Sequence, residues 1–554
     1  RCAEIGETLG TARGFGLTAN LYTLRSARNW GVGDMGDLAE LLRFAGSRGA
    51  AFVGISPLHY LWNLGHDVSP YAPVSRLYGN PLYLEIEAIP ELAESPVARA
   101  RLAQPAFRTR LEAARQADAV DYDTVSALKR EILEPLHRVF AARQRDQRTG
   151  RGRAYANFLR ERGPSLIDFA TYLALAEHFA NRGERDWRKW PRTYRDPRSP
   201  AVARFRRDHA ESVDFHCYVQ FELDRQLAAC ARERARSTPG VLADLALGST
   251  AGGADTWLYP GLFAPDVRMG APPDAFNAAG QDWGLPPPDP HRMREQRYAY
   301  WTHLLRASCA HARALRIDHA MALTRLYWIP PGHSPRDGAY VRYPVRDLLG
   351  ILALESRRSG TSVIGEDLGT VPRGFAAQLA RAGVLSWRVL YFERDARGFR
   401  AARTYSRRAL ITANTHDLPP LAGFAAGSDL ALRRRIGAIS EDSALAAARA
   451  ERRETCRALA RRLSREGLLP ARTALPSHPQ LAAAVHAFLA RTPAPLVGLA
   501  LDDLAGETEP VNLPGASAEV FASWRRRMAL DLKSLARDAG AQQAVCAAAP
   551  RRRS

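Results

Sequence analysis

A chain of 554 residues, 46% hydrophobic and 25% charged, has an ordinary globular composition and room for one large α/β barrel with insertions or for several smaller domains. No run approaches the ~18 consecutive apolar residues of a membrane span, and the opening "RCAEIGETLG" has neither an initiator Met nor the apolar core of a signal peptide, so it reads as the trimmed start of a soluble cytoplasmic protein. The net charge of +20 points first to nucleic acid, but the sequence carries no zinc-finger spacing and no RNA-reading aromatic motif.

Short apolar runs that stop on polar residues recur along the chain. The first two are "GFGLTANLY" (14–22) and "AAFVGISPLH" (50–59), with the helical pattern "GDLAELLRFAGSRG" (36–49) between them. A long stretch follows, about 90–235, rich in Ala, Arg and Leu with helical periodicity and almost no strand signal. Prolines break it at "DWRKWPRTYRDPRSP" (186–200). Strand-like runs resume with "VLADLALG" (241–248). Residues 250–290 are rich in Gly, Pro and aromatics and too long for an idle connector, so they are expected to line a site.

The remaining runs are "LRIDHA" (315–320), "SVIGEDLG" (362–369), "WRVLYFERD" (387–395), "LITANTHD" (410–417) and "APLVGLALDD" (494–503), with a helical "RDLLGILALESRRSG" at 346–360. Most lack alternation, as strands buried on both faces do. Eight such strands with intervening helices predict an α/β fold, a (β/α)8 barrel of TIM type carrying inserted, mainly helical subdomains. A doubly wound sheet is the structural alternative. The expected division is barrel at 1–89, helical insertion at 90–235, the rest of the barrel at 236–530, and a C-terminal helix with a basic tail at 531–554.

Two features of composition are discounted. The six cysteines, Cys2, Cys217, Cys230, Cys309, Cys456 and Cys546, form no C-x-x-C pair, which argues against a disulfide framework and a cysteine zinc site. Only three lysines, Lys129, Lys189 and Lys533, stand among the 78 basic residues. The arginines lie beside acids along helical stretches, densest at 143–153 and in the terminal "PRRRS". Coding bias accounts for that pattern better than a nucleic-acid partner does.

In a barrel, residues at the C-terminal ends of the strands converge on one mouth. Asp318, Glu366 and Asp417 then fall at the ends of strands four, five and seven. Three carboxylates at one mouth suit glycosidic-bond chemistry, in which retaining cleavage uses a nucleophile and an acid/base roughly 5–5.5 Å apart. Arg316 lies two residues before Asp318, so both project to one face. Its guanidinium favours the charged carboxylate that a nucleophile needs. Glu366 has no basic neighbour, and burial beside other carboxylates would keep it protonated, as a general acid requires. Asp417 would hold sugar hydroxyls, with His319 and His416 as hydroxyl partners.

Singly, each of these has a plainer reading. Arg-x-Asp-His is often a structural ion pair, Asp367 suits a helix N-cap, and Thr-His-Asp before "LPP" suits a turn. A divalent-metal site from the same Asp, Glu and His set also stays open. Their recurrence on three strands of one barrel favours the catalytic reading.

These segments resemble the amylomaltases, the 4-alpha-glucanotransferase or disproportionating-enzyme family of the alpha-amylase clan. The resemblance runs from about Gly14 to Arg527. It rests on "NLYTLRSARNWGVGDMGDL" (20–38), "SPYAPVSRLYGNPLYLEIE" (69–87), "GAPPDAFNAAGQDWGLPP" (270–287), "LRIDHAMAL", "VIGEDLGTVP", "THDLPPLAGF", and "TEPVNLPG" with "WRRRM" (508–528). It implies Asp318 as nucleophile, Glu366 as acid/base and Asp417 as the transition-state-stabilising carboxylate. It places Arg316, His319 and His416 around the sugar and makes Tyr71, Asp244, Trp283 and Asn512 sugar-binding positions. A Trp face does pack on the apolar face of a glucose ring, although Trp283 taken alone reads equally as a packing residue. The implied reaction transfers α-1,4-glucan segments between maltooligosaccharides, without cofactor or metal.

The sequence departs from the family pattern in two ways. Many relatives have Gly-Trp where this chain has Gly423-Phe424, and larger bacterial members carry a further N-terminal domain not included here. An α-glucan hydrolase using the same carboxylates, a silent glucan-binding homologue and a basic nucleic-acid binder are the alternative functions.

Overall fold

A computed structural model describes residues 1–145, 148–232, 239–273, 279–471 and 474–549. The eight apolar runs form one closed, parallel barrel. Its strands are β1 (Gly14–Ala19), β2 (Phe52–Ile55), β3 (Gly240–Leu245), β4 (Ala314–Ile317), β5 (Ser362–Gly365), β6 (Leu385–Val389), β7 (Ala409–Thr412) and β8 (Leu496–Ala500). They follow one another in chain order, and β8 closes on β1 with Phe15 opposite Val497. Closure rules out the doubly wound alternative. Every residue of β2, β4, β5 and β7 is buried, which is why these runs show no alternation.

Several runs are shorter as strands than as apolar patterns. β4 stops at Ile317, and His319 turns the chain with φ 45° into a 3-10 turn at Ala320–Leu323. The run 387–395 is strand only to Val389. A 3-10 turn follows at Leu390–Phe392, and Arg394–Asp395 pairs instead with Gly398–Phe399. The run 494–503 ends as the helix Leu501–Ala505. In each case the acidic residues lie past the strand, where the barrel wall opens.

The connection from β2 to β3 contains the long helices Tyr122–Arg143, Pro164–Ala180 and Ala210–Arg232. Its aromatic residues Phe140, Tyr155 and Tyr172 share one hydrophobic cluster with Phe15, Phe52 and Leu410 of the barrel. Burial therefore runs unbroken from barrel to insertion. Lys129 is buried at this junction and donates from Nζ to the carbonyls of Leu82 (2.5 Å) and Leu84 (2.7 Å).

One element was not read from the sequence. Ala339–Arg342, Arg325–Ile329, Arg268–Ala271 and Gln281–Asp282 form a four-stranded antiparallel sheet beside the mouth. Its strands are two to five residues long, too short for a period-2 signal. Residues 146–147, 274–278 and the basic tail 550–554 lie outside the described residues. No helix among the described residues is long and apolar enough to cross a membrane.

Candidate active site

The C-terminal ends of the strands open into a cleft of about 470 Å³. Asp318, Glu366, Asp417, His319, His416, Tyr71, Trp283 and Asn512 all line it. Arg316 and Asp244 do not. These two line an adjoining pocket with Tyr71 and His416, their side chains almost wholly buried and bonded to each other. Arg316 NH1 donates to both Asp244 oxygens (2.6 and 2.8 Å), and its NH2 donates to Asp318 Oδ1 (2.8 Å). The guanidinium lies 4.2 Å from the Trp387 ring centroid, and Trp387 is pinned by Nε1–H to Thr412 Oγ1 (2.9 Å). Asp244 also accepts the Tyr71 hydroxyl (2.6 Å). Asp318 therefore rests on a buried guanidinium that cannot swing away without leaving Asp244 unpaired.

Glu366 sits one strand along. Its Oε2 accepts the His319 N–H (2.9 Å) and its Oε1 the Leu368 N–H (2.6 Å). Burial first, and then the charge of Asp318, push its pKa up to about 7, against the opposing pull of Arg316 and the two N–H groups. His319 is pushed down to about 4 by burial, so its ring is neutral at pH 7. The Trp283 ring meets it edge-on at 5.1 Å. Asp367 is not a helix N-cap, since no helix begins there. It accepts from Ser386 Oγ (2.9 Å), the Trp387 N–H (3.1 Å) and Arg388 NH2 (3.2 Å), fastening β5 to β6.

Asp417 stands on a turn after β7, where the Leu418 N–H bonds the Thr415 carbonyl (3.1 Å). The turn expected at Thr-His-Asp is present, and it leaves Asp417 facing the cleft. Asn512 Nδ2 donates to Asp417 Oδ1 (2.6 Å), and His416 Nε2 lies 3.5 Å from Oδ2. Beneath this turn Asp503 accepts from Asn414 Nδ2 (2.9 and 3.0 Å) and the Leu421 N–H (2.7 Å). Replacing Asp503 by Ala strands both donors in the interior, and is expected to cost about 1–3 kcal/mol of stability. Denaturant unfolding checks this, and an unchanged midpoint would show that the turn is held by other contacts.

Phe424 is buried on the helix Leu421–Ala426 that follows this turn. It stacks on Tyr391 (4.1 Å, 17°), under the Arg452 guanidinium at 4.2 Å, which Asp429 holds at 2.7 and 2.9 Å. Gly423 is forced there, because a Cβ would stand 2.0 Å from the Thr508 carbonyl oxygen. Sequence reasoning assigned no role to the residues from Leu513 to Trp524 that form one flank of the cleft, although "TEPVNLPG" and "WRRRM" take in Leu513–Gly515 and Trp524. Among the described residues, no group of three or more His, Cys, Asp or Glu is placed to hold a metal ion.

Residues 19–532 match the family described as 4-alpha-glucanotransferase, glycoside hydrolase 77. The chain belongs to the 4-alpha-glucanotransferase family. A 4-alpha-glucanotransferase of Mycobacterium tuberculosis is 41% identical over 537 residues, covering 94% of this chain and 72% of that protein. One from Haemophilus influenzae is 34% identical, covering 94% and 76%. Among solved structures, the amylomaltase of Corynebacterium glutamicum superposes with a TM-score of 0.87 at 31% identity, covering 99% of this chain and 77% of that one. An amylomaltase from Streptococcus agalactiae in complex with acarbose shares the fold, with a TM-score of 0.75 at 19% identity over 96% and 98% of the two chains.

Proposed function

We propose that this chain transfers α-1,4-glucan segments from a donor to the 4-hydroxyl of an acceptor glucan or glucose by retaining double displacement. The Asp318 carboxylate attacks the anomeric carbon while Glu366 protonates the departing glycosidic oxygen. The bond to the leaving glucan breaks as an ester to Asp318 forms. Glu366, now ionised, takes the proton of the incoming 4-hydroxyl, whose oxygen displaces Asp318 and restores both carboxyl groups. Asp417, fixed by Asn512, and His416 and His319 receive the hydroxyls of the reacting sugar, and Trp283 offers it an apolar face. Every group needed for proton and glucosyl transfer comes from the chain.

The observation that carries this reading is the pairing of two unlike carboxyls: Glu366 held near pKa 7 beside an Asp318 bonded to a buried guanidinium. One fold thereby holds an acid and a nucleophile at the same pH. In this reading residues 1–89 and 236–530 form the catalytic barrel, 90–235 its helical insertion, and 531–554 a C-terminal helix and tail. The enzyme works on maltooligosaccharides in the cytoplasm.

Incubation with maltotriose tests it. Glucose and a ladder of longer maltooligosaccharides should accumulate at constant total reducing ends. Rising reducing ends without longer products would make the chain a hydrolase, an alternative that the family does not favour.

A further inference from the structure

The cleft flank from Val511 to Met528 leaves the mouth through a backbone conformation that bulky residues avoid. Trp524 has φ 65°, in the left-handed region where a large side chain persists only if its surroundings over-determine it. Those surroundings are specific. The Trp524 N–H donates to the Val511 carbonyl (2.8 Å), and its own carbonyl accepts the Tyr122 hydroxyl (2.5 Å). Just beyond, the Val120 N–H bonds the Arg525 carbonyl (2.8 Å), the Arg527 N–H bonds the Asp118 carbonyl (3.1 Å), and the Met528 N–H bonds the Thr23 carbonyl (2.9 Å). Residues 524–528 are thus clamped between the loop after β1 and the turn that opens helix Tyr122–Arg143 of the insertion.

The clamp directs an indole only 5% exposed toward the barrel mouth. It lies 5.5 Å from the Tyr71 ring and 5.5 Å from the His416 ring, which stack on each other at 4.5 Å. Tyr71 has one hydroxyl proton, and it is given to Asp244 at 2.6 Å. The 3.2 Å contact between Tyr71 Oη and His416 Nδ1 therefore takes its hydrogen from the imidazole. That fixes His416 with Nδ1 protonated and Nε2 turned to Asp417. Asp244 in turn holds Arg316, and Arg316 holds Asp318.

We propose that Trp524 is a positioning residue for the transfer reaction, through which the helical insertion fixes Tyr71 and His416 and hence the side chains around Asp318 and Asp417. A tryptophan that only filled space would not require a left-handed backbone, and one so enclosed offers almost no face to a sugar. The proposal rests on the transferase reading of the same site.

The test compares wild type, Trp524→Ala, Trp524→Phe and Tyr122→Phe in maltotriose disproportionation. W524A is expected to lower kcat about 10- to 100-fold with KM within about threefold, because misplacement by an ångström is enough for such a loss. W524F, which keeps a ring, should return to within about threefold of wild type. Y122F removes only the hydroxyl holding the Trp524 carbonyl, and should lower kcat about three- to tenfold without entering the cleft. Wild-type kcat in folded W524A, a rise in KM alone, or an unaffected Y122F would each overturn the proposal. Should W524A not fold, Y122F and W524F decide. A second readout needs no turnover: the His416 ring, assigned in nitrogen-15 NMR by comparison with His416→Gln, is Nδ1-protonated in wild type and loses that fixed tautomer in Y122F or W524A. An inactive wild type with the expected tautomers would strike the transferase reading alone. Unchanged tautomers in both variants would strike this one.

Discussion

Replacing Asp318 by Asn is expected to lower kcat at least about a thousandfold while leaving the fold intact, since a nucleophile is a group whose loss other residues do not make good. The geometry explains why the fold survives. Arg316 keeps its two bonds to Asp244, and the amide oxygen of Asn can still accept from Arg316 NH2. Removing the Asp318 charge also relieves two neighbours. Asp244 and Glu366 are each raised, burial being the larger cause and Asp318 a further one. The variant should therefore unfold no earlier than wild type. The Glu366 pKa should fall from about 7 toward the ordinary carboxyl range, which carbon-13 NMR of labelled glutamate can follow. A small-residue variant such as Asp318→Gly adds a chemical check. Azide entering the vacated space attacks from the face Asp318 used, giving a β-glucosyl azide from an α-linked donor. Full activity in Asp318→Asn would remove Asp318 from the mechanism altogether.

The barrel was legible because its strands are buried on both faces and so read as unbroken apolar runs. The three carboxylates were legible because each ends such a run at Asp318, Glu366 or just past it at Asp417. Boundaries were less legible. Nothing in "LRIDHA" marks the stop at Ile317, which is set by the barrel wall opening and by the left-handed turn at His319. Least legible was the depth of each side chain. Arg316 and Asp244 stand 72 residues apart and Tyr71 and His416 345 apart, and no spacing rule says that the second pair lines the main cleft while the first is bonded beside it. Asn414 with Asp503 and Tyr122 with Trp524 are 89 and 402 residues apart. Such pairs carry the shape of the site, yet leave no local pattern. The resemblance took in both ends of the 513–524 flank but could not say that Trp524 would pack on Tyr71.

Replacing Glu366 by Gln separates its two duties by pH and by leaving group. With a maltooligosaccharide donor the loss should be about 10²–10⁴-fold, the range a general acid contributes. With a donor such as α-maltosyl fluoride, whose departing group needs no proton, the first step should recover and the second remain slow. The pH profile follows from the pKa of about 7. Below it Glu366 is protonated and can serve the departing oxygen, and above it the proton is gone, so wild-type kcat/KM for glucan donors falls as pH rises through about 7. That limb should be missing in Glu366→Gln.

Stability moves with pH in the same direction. A carboxyl with ordinary pKa 4.5 in the unfolded chain and about 7 in the folded one binds more protons when folded, so the contribution of Glu366 to stability declines as pH rises from about 4.5 to about 7 and then levels off. The full shift corresponds to about 3 kcal/mol. Glu366→Gln does not ionise and escapes that decline. Its midpoint should therefore exceed the wild-type midpoint by more at pH 8 than at pH 4.5. Equal differences at the two pH values would mean that Glu366 is not the buried acid its surroundings make it, and would move the proton donor to another side chain.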